Sequence, residues 1–191
     1  MKCDIILAGV GGQGILTIAA TIGLAAVEKN LFLKQAEVHG MSQRGGDVQS
    51  HLRLSDHEIH SDLIPRGSAD LIISVEPMEA LRYLSWLSDE GWVVTNSVPY
   101  MNIPDYPDVG EIVAELKKTG NAIIIDADAI AREAGSSRSG NMVILGAASS
   151  FISLPVEELE NAVKKLFGRK GENVVDLNLK ALRAGRAAAG L

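Results

Sequence analysis

One stretch near the N-terminus limits the fold more than any other. Gly9-Val10-Gly11-Gly12-Gln13-Gly14 follows a short apolar run, Cys3–Ala8. It precedes a segment, Ile15–Lys29, in which Ile15, Ile18, Ala19, Ile22, Ala25 and Ala26 recur at three- and four-residue spacings. A buried strand, a glycine-rich turn and an amphipathic helix are the opening unit of a parallel α/β sheet. Glycines at such a turn allow positive φ and close backbone approach. The helix start offers unpaired N–H groups to an anion.

The rest of the chain repeats this alternation. Leu31–Val38 reads as a second strand and His39–Gly46 as a polar loop ending in glycine. Val48, Ser50, Leu52 and Leu54 alternate with Gln49, His51 and Arg53, the mark of a half-exposed strand. Ser55–Asp56 is expected to turn this strand into a short return strand around Ile59, a hairpin that makes the sheet mixed. Further strands are expected at Leu71–Val75, Trp92–Thr95 and Ala122–Ile125. Helices are expected at Pro77–Leu84, Gly110–Thr119, Ala127–Ala134, Met142–Phe151, Pro155–Phe167 and Val174–Ala188. Three prolines make Ser97–Asp108 a loop. The expected fold over residues 1–191 is a single three-layer α/β/α domain of Rossmann-like character. Its sheet is mainly parallel with an antiparallel hairpin, its crossovers are right-handed, and its last third is helical.

Composition excludes several functions. Hydrophobic residues are 47% of the 191 and aromatics only 4%, so the core is aliphatic, as in sheets covered on both faces. The net charge of −6 and the lack of a dense Lys/Arg cluster argue against nucleic acid. Lys180, Arg183 and Arg186 read as the solvated face of a helix. No apolar stretch reaches the ~20 residues of a membrane span, and Asp4 with the following glycines breaks any signal-peptide pattern, so a cytoplasmic protein is expected. The one cysteine, Cys3, lies in the first apolar run and reads as core; it forms no disulfide framework and no self-contained iron–sulfur site. His57-x-x-His60, near Asp56, Glu58 and Asp62, is too loose for a metal motif and reads as solvated turn residues, so no metal is expected. Asp126 and Asp128 follow a strand end, and Asp126 is read as a helix cap. No nucleophile–base pattern appears, and no catalytic residue is assigned.

The turn Gly9–Gly14 matches G-x-G-x-x-G in its proper context, and Glu37 stands at the end of the second strand, where a dinucleotide fold puts its ribose-binding acid. On the pattern alone, an NAD(P)-binding dehydrogenase or sensor and a bare strand–helix turn are equal alternatives.

A second motif changes that balance. Gly11-Gly12-Gln13-Gly14-Ile15-Leu16-Thr17 resembles the G-G-Q-G signature of the gamma domain of 2-oxoacid:ferredoxin oxidoreductases. Glu37-Val38-His39-Gly40-Met41-Ser42-Gln43-Arg44-Gly45-Gly46 is more specific: an arginine followed by two glycines is the family feature, and the preceding His-Gly-Met-Ser-Gln resembles the indolepyruvate branch. Asn141, with Gly146 in an apolar helix, fits the same pattern. The resemblance covers residues 2–185. It implies a subunit that carries no cofactor itself. A large alpha subunit would hold thiamine diphosphate, Mg²⁺ and [4Fe-4S] clusters, and ferredoxin and coenzyme A would meet the assembly. The Gly-Asp-Gly of thiamine-diphosphate enzymes is absent here, since Gly45-Gly46-Asp47 has the wrong order. The implied roles are a CoA or anion contact by Gly11, Gly12, Gln13, Gly14 and Arg44, and a partner-facing loop of His39, Ser42, Gln43, Arg44, Gly45 and Gly46. Arg44 suits a phosphate or carboxylate through its planar fork. Its alternative is an internal salt bridge shaping the loop.

Overall fold

The computed structural model describes residues 1–39 and 45–190, the side chain of His39 excepted. Six strands form one sheet: β1 (Lys2–Val10), β2 (Phe32–His39), β3 (Asp47–Ser55), β4 (Ala69–Ser74), β5 (Leu87–Asn96) and β6 (Ala122–Ile125), in the order β2-β3-β1-β4-β5-β6. β3 runs antiparallel to both neighbours; β1, β4, β5 and β6 pair in parallel. The helices are α1 (Ile15–Glu28), α2 (Pro77–Arg82), α3 (Val109–Lys117), α4 (Ala127–Glu133), α5 (Gly140–Ala148), α6 (Val156–Phe167) and α7 (Glu172–Ala188).

Alternation along each strand separates two apolar layers. Ile5 and Leu7 point to the layer shared with α1 and α4 to α7, while Ile6 and Ala8 point to α2 and α3. β1 is thereby buried on both faces, which is why Ile5–Ala8 reads as a continuous apolar run. Met142 to Ala148 of α5 are all buried, as expected of a helix that is apolar all round. Its partner is α7. A Cβ on Gly146 would lie 1.9 Å from the Leu182 carbonyl oxygen, and one on Gly185 would lie 1.9 Å from that of Val143. Two glycines therefore let the two backbones touch.

The antiparallel hairpin exists, but it is β2–β3 across residues 40–46. The expected return strand around Ile59 does not form. β3 already has β2 on one edge and β1 on the other, so no edge remains. Side chains of β3 satisfy the following segment instead. Arg53 donates to the carbonyls of Ser61 (3.1 Å) and Leu63 (3.0 Å), and the Ile64 N–H donates to His51 Nδ1 (3.0 Å). β5 also starts earlier than its apolar run suggests. Ala69 pairs with Leu87 but Leu71 with Trp92, so the turn-like Ser88–Gly91 is absorbed as an irregularity within the strand.

Cys3 is core, 1% exposed, and burial pushes its thiol up to about 11. The basic residues of α7 are not simply solvated: Arg183 grips Glu160 of α6 through two bonds of 2.7 and 2.8 Å, and Arg186 donates to Ser149 (2.8 Å). Among the described residues, no helix is long and apolar enough to cross a membrane.

Candidate functional site

The parallel strands all end on one side of the sheet, and the two sequence motifs meet there. β1 ends at Val10 and the glycine turn carries the chain into α1. Gly12 and Gly14 have φ of 104° and 86°, values that side-chain-bearing residues rarely adopt. Gln13 folds back on its own turn: its Oε1 accepts from the Val10 N–H at 2.8 Å. That makes Gln13 a brace for the loop, which the motif alone does not reveal. Gly14 opens α1 without a side-chain cap. Asn141 Nδ2 donates to the Gly14 carbonyl at 3.2 Å, and a Cβ at Gly14 would come within 2.5 Å of that nitrogen.

The second motif is hydrogen-bonded to the first. The Gly11 N–H donates to the Gly46 carbonyl (2.8 Å), and the Gly45 N–H donates to the Gly11 carbonyl (3.2 Å). These bonds extend the β1–β3 ladder past Val10↔Asp47. Gly11, Gly12, Gln13, Gly14, Gly45 and Gly46 are thus one structure. His39 contributes its backbone to β2 opposite Val48. Ser42, Gln43 and Arg44 lie outside the described residues.

A third segment, not anticipated, joins them. Asn102 Nδ2 donates to the Gly45 carbonyl at 2.6 Å. The loop carrying Asn102 is tied down by Glu76, a carboxylate with no exposed surface. Glu76 caps α2 by accepting from the Glu79 N–H (2.9 Å), and it also accepts from the Tyr100 N–H (3.2 Å) and the Tyr106 hydroxyl. Burial, then the Glu76 carboxylate, pushes the Tyr106 hydroxyl up. Glu76 followed by Pro77 is a legible helix start; nothing local shows that the same carboxylate reaches a loop some thirty residues on.

Beside Gly46 lies a polar cluster. The Tyr83 hydroxyl donates to Asp47 (2.7 Å), and Arg82 donates to both oxygens of Glu79 (2.9 and 3.3 Å). Glu79 is 3% exposed. Burial, reinforced by Asp47 and opposed by Arg82, pushes its carboxyl up to about 7.

Two clefts flank the glycine turn. One, of about 330 Å³, is lined by Val10, Gly12, Ile15, Leu16, Glu37 and Val48. The other, of about 360 Å³, is lined by Gln13, Asn96, Asp128, Arg138 and Asn141 among others. The second is the more polar and lies at the strand ends where α/β sheets bind ligands. The first brings Glu37 to the glycine turn, as the dinucleotide pattern anticipates. But β3 stands between β1 and β2, so the Glu37 strand is not the neighbour of β1.

The remaining expectations fall away from this site. Asp126 caps α4, accepting from the Ala129 N–H at 2.7 Å. His57 and His60 are exposed, His57 against Asp56 at 2.6 Å. Among the described residues, no three His, Cys, Asp or Glu side chains are grouped to hold a metal.

The family model for pyruvate ferredoxin/flavodoxin oxidoreductase matches residues 4–188. The chain belongs to the pyruvate ferredoxin/flavodoxin oxidoreductase family. It is 40% identical over 194 residues to the indolepyruvate oxidoreductase subunit IorB of Archaeoglobus fulgidus, covering 97% of this chain and 94% of that one. It is 38% identical to the subunit of the same name from Methanothermobacter thermautotrophicus, over 99% and 98% of the two chains. Among solved structures it is similar to the 2-oxoglutarate:ferredoxin oxidoreductase of Magnetococcus marinus, determined with 2-oxoglutarate, coenzyme A and succinyl-CoA bound. The TM-score is 0.79 at 25% identity; the match takes in 99% of this chain but only 31% of that one, so this family member spans about a third of that chain's length. The gamma subunit of a keto/oxoacid ferredoxin oxidoreductase from Geobacter sulfurreducens shares the fold over 98% of both chains, with a TM-score of 0.69 at 22% identity.

Proposed function

We propose that this chain is the small subunit of a cytoplasmic indolepyruvate:ferredoxin oxidoreductase. The assembly would convert indolepyruvate, coenzyme A and oxidised ferredoxin to indoleacetyl-CoA, CO₂ and reduced ferredoxin. The observation that carries the reading is the full-length match, at 36–40% identity, to chains named as indolepyruvate oxidoreductase subunits.

The redox groups belong on a partner. Cluster ligation needs thiolates, and the one cysteine is a core residue whose thiol burial keeps protonated. Thiamine diphosphate would supply the decarboxylation chemistry and the clusters the electron path, both on a large subunit. No step of that chemistry is assigned to a residue of this chain. Its part is to shape the approach. Gly11, Gly12, Gln13 and Gly14, with Arg44, are assigned to a CoA or anion contact. Gly45 and Gly46, with His39, Ser42, Gln43 and Arg44, are assigned to the partner-facing loop. Gln13 also braces the turn through its Oε1 and lines the more polar cleft. The ladder between Gly11 and Gly46 supports treating both assignments as one surface.

Co-purification from native cells tests the reading. The expected companion is a large cysteine-rich chain that restores CoA-dependent oxidation of indolepyruvate; recovery of the chain without one rejects the subunit role. Glu37 beside the glycine turn favours a second reading, an independent NAD(P)-binding protein. Titration of the free chain with NADH separates the two. No saturation is expected, and micromolar binding abolished by Glu37→Ala would establish the second.

A further inference from the structure

The loop that follows β5 turns its polar groups inward and its apolar side chains outward. Tyr100 is 45% exposed, Met101 69% and Ile103 43%. The contacts that fix the loop come from beneath it. The Tyr100 N–H and the Tyr106 hydroxyl donate to the buried Glu76, and Asn102 donates to the Gly45 carbonyl. The Asn102 N–H returns to the Tyr100 carbonyl at 2.8 Å. Pro99, Pro104 and Pro107 restrict the backbone further. Of the loop's large apolar side chains only Tyr106 packs into the layer below. The position of the patch is as telling as its composition. Among the described residues, ten large hydrophobic side chains are exposed. Five of the ten, Leu16, Val38, Tyr100, Met101 and Ile103, lie at the side where β1, β2 and β5 end. Grouped apolar exposure of this kind marks an interaction surface.

We propose that residues 97–108 form the apolar centre of the contact with the large subunit, continuous with the loop of Gly45 and Gly46. The inference rests on the subunit reading above and adds a surface to it. Two observations name the occupant. Gly45 and Asn102 are hydrogen-bonded, so a chain that meets one loop meets the other. The match to the Magnetococcus marinus protein takes in only 31% of that longer chain. A domain joined to others in one polypeptide packs against them within the molecule; a separate chain has to form that contact across an interface. Tyr and Met are residue types enriched at the centre of interfaces, where charge is depleted. No Lys or Arg occurs in residues 97–108, and Asp105 is exposed at the margin of the patch. The complementary surface is therefore an apolar recess with a basic rim. A second copy of this chain, with net charge −6 and the same acidic margin, does not supply that rim. The tethers to Glu76 and Gly45 hold the loop in one shape before the partner arrives, which lowers the ordering cost of association.

The test uses the full chain and the large cysteine-rich chain that co-purifies with it. Met101→Asp should leave the melting temperature of the free chain within about 2 °C, as surface substitutions do. It should raise the Kd between the two subunits at least about tenfold. Leu63→Asp is the control. Leu63 is 57% exposed, and its carbonyl is held by the same Arg53 that grips Asp4 near the start of β1, at the other end of the sheet. Its Kd should be unchanged. Met101→Cys should react with a maleimide in the free chain and be protected in the assembly, read from the mass of its own peptide. Cys3, 1% exposed, does not compete. An unchanged Kd for Met101→Asp, or equal labelling of Met101→Cys free and assembled, overturns the proposal while the assembly itself leaves the subunit reading standing. An equal loss of affinity in Leu63→Asp overturns it as well. Protection that develops in the free chain as its concentration rises gives the surface to a second copy and also overturns it. If the wild-type chain captures no large companion, the subunit reading fails, and the proposal with it.

Discussion

The same residue type is used in opposite ways at two places in this molecule. Gly146 and Gly185 lie in the α5–α7 contact, where an added Cβ would strike a carbonyl oxygen at 1.9 Å. Gly12 and Gly45 lie at the strand ends, and an added Cβ there would meet nothing within 4 Å, although φ is 104° and 78°. The helical pair needs glycine for space. The loop pair needs it for backbone conformation, and leaves open volume above the turn. The first is a packing constraint complete within the chain. The second is a shape turned outward, as a surface that meets something else requires.

The largest effect should come from the packing side. Gly146→Ala forces α5 and α7 apart where the two backbones already touch. Overpacking of this kind costs at the upper end of single substitutions, on the order of 4 kcal/mol. For a chain of this size the melting temperature should fall by roughly 10 °C. A loss below about 1 kcal/mol would mean that the helices slide apart freely and that the contrast with the loop glycines is false.

Much of this contrast is legible in the sequence. The glycine turn, the Arg-Gly-Gly loop and the membership of both in one family follow from local pattern. So do the apolar runs that became β1, β4 and β6. What is not legible depends on neighbours in space. The Ile59 return strand is locally reasonable, but it fails because β3 has no free edge. Ser88–Gly91 looks like a turn and is held within β5. Gln13 belongs to a signature, but that its side-chain oxygen braces the turn itself is visible only in the structure. Glu76 and Asn102 carry no motif, because their roles exist only where the strand ends bring distant loops together.

The loop side should show a pH dependence that the helical side lacks. Glu79 is pushed up to about 7 from an ordinary 4.5. Below 4.5 the folded and unfolded states both hold this proton. As pH rises from 4.5 to 7, the unfolded chain releases it while the folded chain retains it, so stability falls. Above 7 the loss levels off, at roughly 3 kcal/mol in total. The charged groups facing Glu79 are Asp47 from β3 and Arg82 from its own helix, with the Tyr83 hydroxyl beside them. His51, held below its usual range by burial, acts in the opposite sense, losing stability as pH falls. The check is therefore a difference: denaturant midpoints of the wild type against Glu79→Gln from pH 4 to 8. The variant should lack the decline. Parallel curves would show that Glu79 is ionised throughout, paired to Arg82 alone.

The smallest effect on the fold should be Gly12→Ala, and it is the most informative about the outward surface. The added methyl meets no atom, so the cost is backbone alone, about 1–2 kcal/mol for a side-chain-bearing residue held at positive φ. Melting of the free chain should drop by roughly 3–6 °C. If the space above Gly12 serves only the turn, the assembled enzyme should suffer no more than that. If a partner or a CoA group approaches the turn, the methyl stands in the path of that approach, and weaker binding is added to the folding cost. The expected outcome is a normal circular dichroism spectrum, a small drop in melting temperature, and a CoA KM or subunit Kd raised at least tenfold, equivalent to about 1.4 kcal/mol. An unchanged KM and Kd alongside the small melting shift would place Gly12 with Gly146, as a residue of the fold, and remove the glycine turn from the site.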